Sequence, residues 1–174
     1  MSALSRKKLV DRETVVVPVP ETVSVQHPVM LALSTFRRSA IAEELAIEKA
    51  RGRSDLVIVF VADVDIANYL IGAEAALSDA LKDRCEEDIL KVHEAEAERA
   101  ANEIARRASE TLGVQSRIYV TRGNFAVECL KVVGKERPAV VVTTRASRPS
   151  WVRRVFGSPV DRLVASAGCQ VITV

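Results

Sequence analysis

Cysteine is scarce in this chain: Cys85, Cys129 and Cys169 are odd in number, widely spaced and form no Cys-x-x-Cys pair. That pattern points away from a disulfide framework and a thiolate metal site, and toward a reducing, cytoplasmic setting. Histidine is scarcer still. His27 and His93 stand alone, and zinc needs three or four convergent ligands, so no metal site is expected. Net charge is small as well, with 25 Lys and Arg against 23 Asp and Glu leaving +2. Such a balance gives little long-range field, and no nucleic-acid partner is expected. Long apolar runs are also missing: none approaches the roughly 20 residues of a membrane span. Arg6-Lys7-Lys8 is not followed by the apolar core of a signal peptide. No membrane insertion is expected.

What remains is 174 residues, 48% hydrophobic and 28% charged. That is enough for one well-buried core and short for two. Residues 1–27 differ from the rest, because Pro18 and Pro20 interrupt the β-branched stretch Thr14–Val25 and exclude a central strand. They are expected to form an extended N-terminal arm, with the globular domain spanning 28–174.

Within that domain short apolar runs alternate with helical periodicity. Val29–Leu33 and Leu56–Val61 are continuous apolar runs of the kind buried on both faces. Ser39–Arg51 carries a helical stripe stopped by Gly52. After an ill-defined segment at Ile66–Lys82, apolar residues recur at helical spacing from Leu77 to Ala108, with a possible break before Asp83 and a stop at Gly113. A third strand is expected within Val114–Thr121, then a helix opened by Gly123-Asn124, closed by Gly134 and ended by Pro138. A strand at Ala139–Thr143, a helix at Pro159–Ala167 and a strand at Cys169–Val174 complete the set. Strands alternating with helices predict a parallel α/β domain. Ligands in such folds bind outside the carboxyl ends of the strands, which points to the loop from Thr143 to Gly157.

That closing segment resembles the universal stress protein family. The family's signature is Gly-x-x-Gly, nine residues, then Gly-Ser or Gly-Thr; here Thr144-Arg145-Ala146-Ser147, Arg148–Phe156 and Gly157-Ser158 keep the spacing. The tail Pro159–Val174 is similar to the family's last helix and strand. The resemblance implies an open five-stranded parallel sheet, order 3-2-1-4-5, with helices on both faces. It also assigns Ser34, Thr144, Arg145, Ser147, Gly157 and Ser158 to a nucleotide pocket that would take ATP or AMP.

Two departures bear on that pocket. Family members that bind ATP carry Gly where this chain has Thr144 and Ser147, and Asp where it has Ser34. Glycine lets backbone amides approach a triphosphate without a Cβ in the way, whereas Thr144 and Ser147 add hydroxyls in its place. The pocket is therefore expected to be degenerate. The family's dimer implies a homodimer built on the last strand through Val171, Ile172, Thr173 and Val174.

The remaining candidates have ordinary readings beside the functional ones. Arg145, Arg148, Arg153 and Arg154 suit an anion or simply solvate a loop. Trp151 packs that loop or meets a partner. His93, amid Glu94, Glu96 and Glu98, is expected on a solvated face. No serine has a nucleophile setting, and Asp63 is either a ligand group or a turn residue. The expected function is stress-related binding or regulation through a ligand or protein partner, without turnover. Two alternatives stand beside it: an ATP or AMP switch with slow hydrolysis, and a module docking on a membrane transporter through the N-terminal arm.

Overall fold

The computed structural model describes residues 27–52, 55–72, 79–145 and 158–174. Five strands form one sheet in the order β3-β2-β1-β4-β5, every neighbouring pair parallel. They are β1 (Val29–Ser34), β2 (Asp55–Asp63), β3 (Gln115–Gly123), β4 (Val140–Thr143) and β5 (Gln170–Thr173). Both the order and the parallel pairing agree with the sequence-based expectation. The described arrangement begins at His27, so the arm expected at 1–27 lies almost wholly outside the described residues.

Alternation along the central strands sorts the core. Val29, Leu31 and Leu33 point to one face of the sheet, where they pack with α1 (Ala40–Ala50) and α3 (Asp79–Leu112). Met30 and Ala32 point to the other, against α4 (Phe125–Glu136) and α5 (Pro159–Ser166). Because β1 and β2 are buried on both faces, their sequences are continuous apolar runs without a polar alternate.

The ill-defined segment resolves in part into a short helix, α2 (Val64–Gly72), placed directly after β2. Its start is set by Asp63, whose Oδ1 accepts from the Asp65 amide at 3.1 Å. The next helix, α3, runs unbroken for 34 residues, contrary to the break expected before Asp83. No Gly or Pro occurs between Asp79 and Leu112, and Leu90, Ala97, Ala101, Ile104 and Ala108 anchor the stripe in the core. Val92, expected on that stripe, is instead exposed.

The fourth helix is not closed at Gly134 and ends, as expected, just before Pro138. Gly134 lies inside α4, and the chain turns off only at Arg137, which adopts the left-handed conformation at φ 49° before Pro138. Glycine within a helix costs about 1 kcal/mol against alanine, and burial of Val132 and Val133 beside it outweighs that penalty. At the other end Asn124 caps the helix, its Oδ1 accepting from the Val127 amide at 3.3 Å.

Candidate functional site

The sheet order reverses between β1 and β4. The connection after β1 runs to α1 on one face, and the chain after β4 reaches α5 on the other. A crevice opens at such a switch point, outside the carboxyl ends of the two strands. Ala32 pairs with Thr143, so Ser34, the last residue of β1, and Thr144, the first after β4, stand one register position apart at this edge. The fold thus brings these two, with Arg145 and Ser158, to the same end of the molecule. Ser147 and Gly157, with Arg148, Trp151, Arg153 and Arg154, lie outside the described residues.

On the β1 side the chain closes tightly. The Ser34 hydroxyl accepts from the Phe36 amide at 3.3 Å, and the Ser34 carbonyl accepts from the Arg37 amide at 2.9 Å. The Thr35 amide donates to the Val61 carbonyl at 2.9 Å, fastening the turn to the end of β2. Ser34 therefore shapes its own turn.

The β4 side is engaged in the same inward way. The Arg145 amide donates to the Val174 carbonyl at 2.9 Å, and the Val174 amide donates to the Thr143 carbonyl at 3.0 Å. The Arg145 guanidinium reaches across to Asp161 in the first turn of α5, at 2.9 Å. Ser158 is the N-cap of that helix, its hydroxyl accepting from the Asp161 amide at 3.2 Å. An acidic side chain at a helix start offsets the positive end of the macrodipole. Asp161 thus supplies from within the chain the negative charge that a bound anion would bring. Thr143, the last residue of β4, is buried and keeps a hydroxyl with no hydrogen-bond partner among the described residues.

The family model for the universal stress proteins matches residues 27–174. The chain belongs to the universal stress protein family. No curated protein matches it in sequence. Among solved structures, universal stress protein UspA from Lactobacillus plantarum superposes with a TM-score of 0.63 at 18% identity, over 86% of this chain and 98% of that one. A universal stress protein in complex with cAMP gives 0.55 at 12%, over 86% and 97%. One from Arabidopsis thaliana with AMP bound gives 0.50 at 19%, over 85% and 90%. At these identities the likeness is one of fold.

Around this universal stress protein's crevice, several contacts carried no sequence signal. Glu43 on α1 is only 3% exposed, clasped by Arg38 through bonds of 3.0 and 3.1 Å and by Arg107 of α3 at 2.6 Å. The bond to Glu43 chiefly raises the Arg38 pKa above its usual value. The Arg38–Glu43 spacing could have been noticed on the edge of a helix start; the partner 64 residues away could not. His93, expected on a solvated face, is half-buried with its ring 4.1 Å from that of Phe36. Phe36 in turn joins Ala62, Ala67 and Leu90 in a small apolar cluster that seats the β1–α1 turn on α2 and α3. Asp63 resolves as the turn residue, and its neighbour Asp65 accepts from the Asn124 side chain at 2.6 Å. Among the described residues no group of three or more His, Cys, Asp and Glu side chains could hold a metal ion, and no helix is long and apolar enough to cross a membrane.

Proposed function

We propose that this universal stress protein is a regulatory binding protein of the stress response, with a degenerate adenine-nucleotide pocket, acting as a homodimer and without turnover. One observation carries the reading: the Arg145 guanidinium, which the family pattern assigns to the pocket, is paired with the Asp161 carboxylate, which also places a negative charge in the first turn of α5, where a phosphate would sit. An incoming phosphate has to displace that pair and meets the Asp161 carboxylate at the helix start. Relatives solved with cAMP and AMP support an adenine nucleotide as the ligand class.

Calorimetric titration of the full chain with ATP, ADP, AMP and cAMP, with and without magnesium, tests this reading. The wild type binds no tighter than about 1 mM. The double variant Ser34→Asp/Thr144→Gly returns the family's residues and tightens binding by at least about tenfold, the worth of one recovered hydrogen bond to a polar ligand group. Micromolar binding by the wild type would overturn the degenerate pocket.

The dimer is assigned to β5. Val171, Ile172 and Thr173 lie half-buried on an edge strand and Val174 is exposed, an arrangement that invites pairing. Val174→Asp is expected to shift the light-scattering mass from dimer to monomer while leaving the circular dichroism spectrum unchanged. A monomeric wild type would sink this assignment.

A further inference from the structure

A second concavity adjoins the β1–α1 turn, on the face that carries α1 and α3. It is a cavity of about 320 Å³ between the β1–α1 turn and the middle of α3, at the small end of the range of ligand sites. Its floor is apolar: Phe60, Ala97 and Ala100 are 1%, 3% and 4% exposed. Alanines at two successive turns of α3 leave the space that larger side chains would fill.

The rim carries both signs of charge. Arg38 and Arg99 face Glu96 and Glu103 around the opening. Arg38 gives Nε and Nη2 to Glu43, and its contact with Glu103 is a longer 3.7 Å. Arg99 uses Nε on the Ala95 carbonyl of its own helix at 3.3 Å, which leaves its terminal nitrogens for a ligand. Glu96 makes only a distant contact, 3.8 Å, with His93. Thr35 adds a hydroxyl that is buried and has no partner among the described residues.

We propose that this groove binds a small zwitterion with an apolar body, the chemistry of a hydrophobic amino acid. The body lies over Phe60 and the two alanines, the ammonium meets Glu96 and Glu103, and the carboxylate meets Arg99 with the Thr35 hydroxyl. Two flanking carboxylates make the rim unsuited to a phosphate, which separates this groove from the nucleotide crevice. The assignment stands whether or not a nucleotide binds there.

The test is an NMR titration of the full chain with three probes: L-phenylalanine, phenethylamine, which lacks the carboxylate, and 3-phenylpropionate, which lacks the ammonium. Saturable shifts at Thr35, Ala97 and Ala100 are expected with L-phenylalanine below about 10 mM, and at least about fivefold weaker binding with either single-charge probe. Thr35→Val and Arg99→Gln should each weaken L-phenylalanine by about fivefold or more, with little change in melting temperature because Arg99 is exposed and Thr35→Val keeps the side-chain shape. No saturable shift, equal binding of the three probes, or wild-type affinity in both variants would each overturn the proposal.

Discussion

Arg145 and Asp161 meet at the start of α5, guanidinium nitrogen to carboxylate oxygen at 2.9 Å, each side chain more than half exposed at 57% and 59%. A pair so wet is worth about 0–1 kcal/mol, small for stability yet sufficient to compete with a weakly held phosphate. Asp161→Asn should therefore raise the affinity for AMP by about two- to fivefold in an NMR titration. Adding Arg145→Gln should remove the gain. The single variant should also lower the melting temperature slightly, since it loses a negative charge from the first helical turn. Unchanged AMP affinity in Asp161→Asn would show that the pair does not guard the crevice.

Glu43 is a buried carboxylate, shared by Arg38 and Arg107. Glu43→Gln keeps the shape but removes the charge from both contacts and is expected to cost about 2–4 kcal/mol, read as a lower urea midpoint at constant slope. Arg38→Gln should cost less, about 1 kcal/mol, because its side chain is 46% exposed and Arg107 still serves the carboxylate. Equal losses from the two variants would contradict this ranking.

Glu87 on α3 is held below the ordinary carboxylate range, first by the hydrogen bond from Arg122 and then by that from Lys91. A carboxyl whose folded pKa is depressed contributes stability that is present above the unfolded value, about 4.3, and is lost as pH falls through the lower folded value. Arg122→Gln removes the larger cause. The Glu87 carboxyl resonance should then titrate at higher pH, and stability should fall off less steeply on the acid side. An unmoved titration would assign the depression to Lys91 instead.

Arg137 ends α4 at φ 49° and ψ 57°, a conformation that costs an L-residue roughly 1–2 kcal/mol. Arg137→Gly relieves that strain at the expense of a freer unfolded chain, for a net gain of about 0.5–1 kcal/mol. Thermal unfolding should shift upward by about 1–4 °C. A fall would mean that the Arg137 side chain contributes more than its backbone costs.

The strand–helix order was legible because buried parallel strands are nearly pure apolar runs and the helices between them keep a 3.6-residue period. Gly134 and Asp83 misled because glycine and charge weigh only about 1 kcal/mol locally, less than the packing of Val132, Val133 and Leu90 that carries the helices through. Ser34, Thr144, Arg145 and Ser158 were placed at one end by family spacing alone. Their inward bonding was not legible, since the partners Asp161, Val174 and Phe36 are selected by loop geometry. The groove on α3 was hidden for a related reason: alanines read as helix formers, and only the folded chain shows that Ala97 and Ala100 leave space beneath Arg38 and Arg99.

The strands are unequal in length. β2 and β3 run alongside each other for nine residues, whereas β4 and β5 do so for four. Under a pulling force, or in slow exchange with heavy water, the sheet has a strong flank and a weak one. Peeling of β5 would also release the Arg145 amide from Val174, so fraying at that edge would loosen the crevice loop at its root.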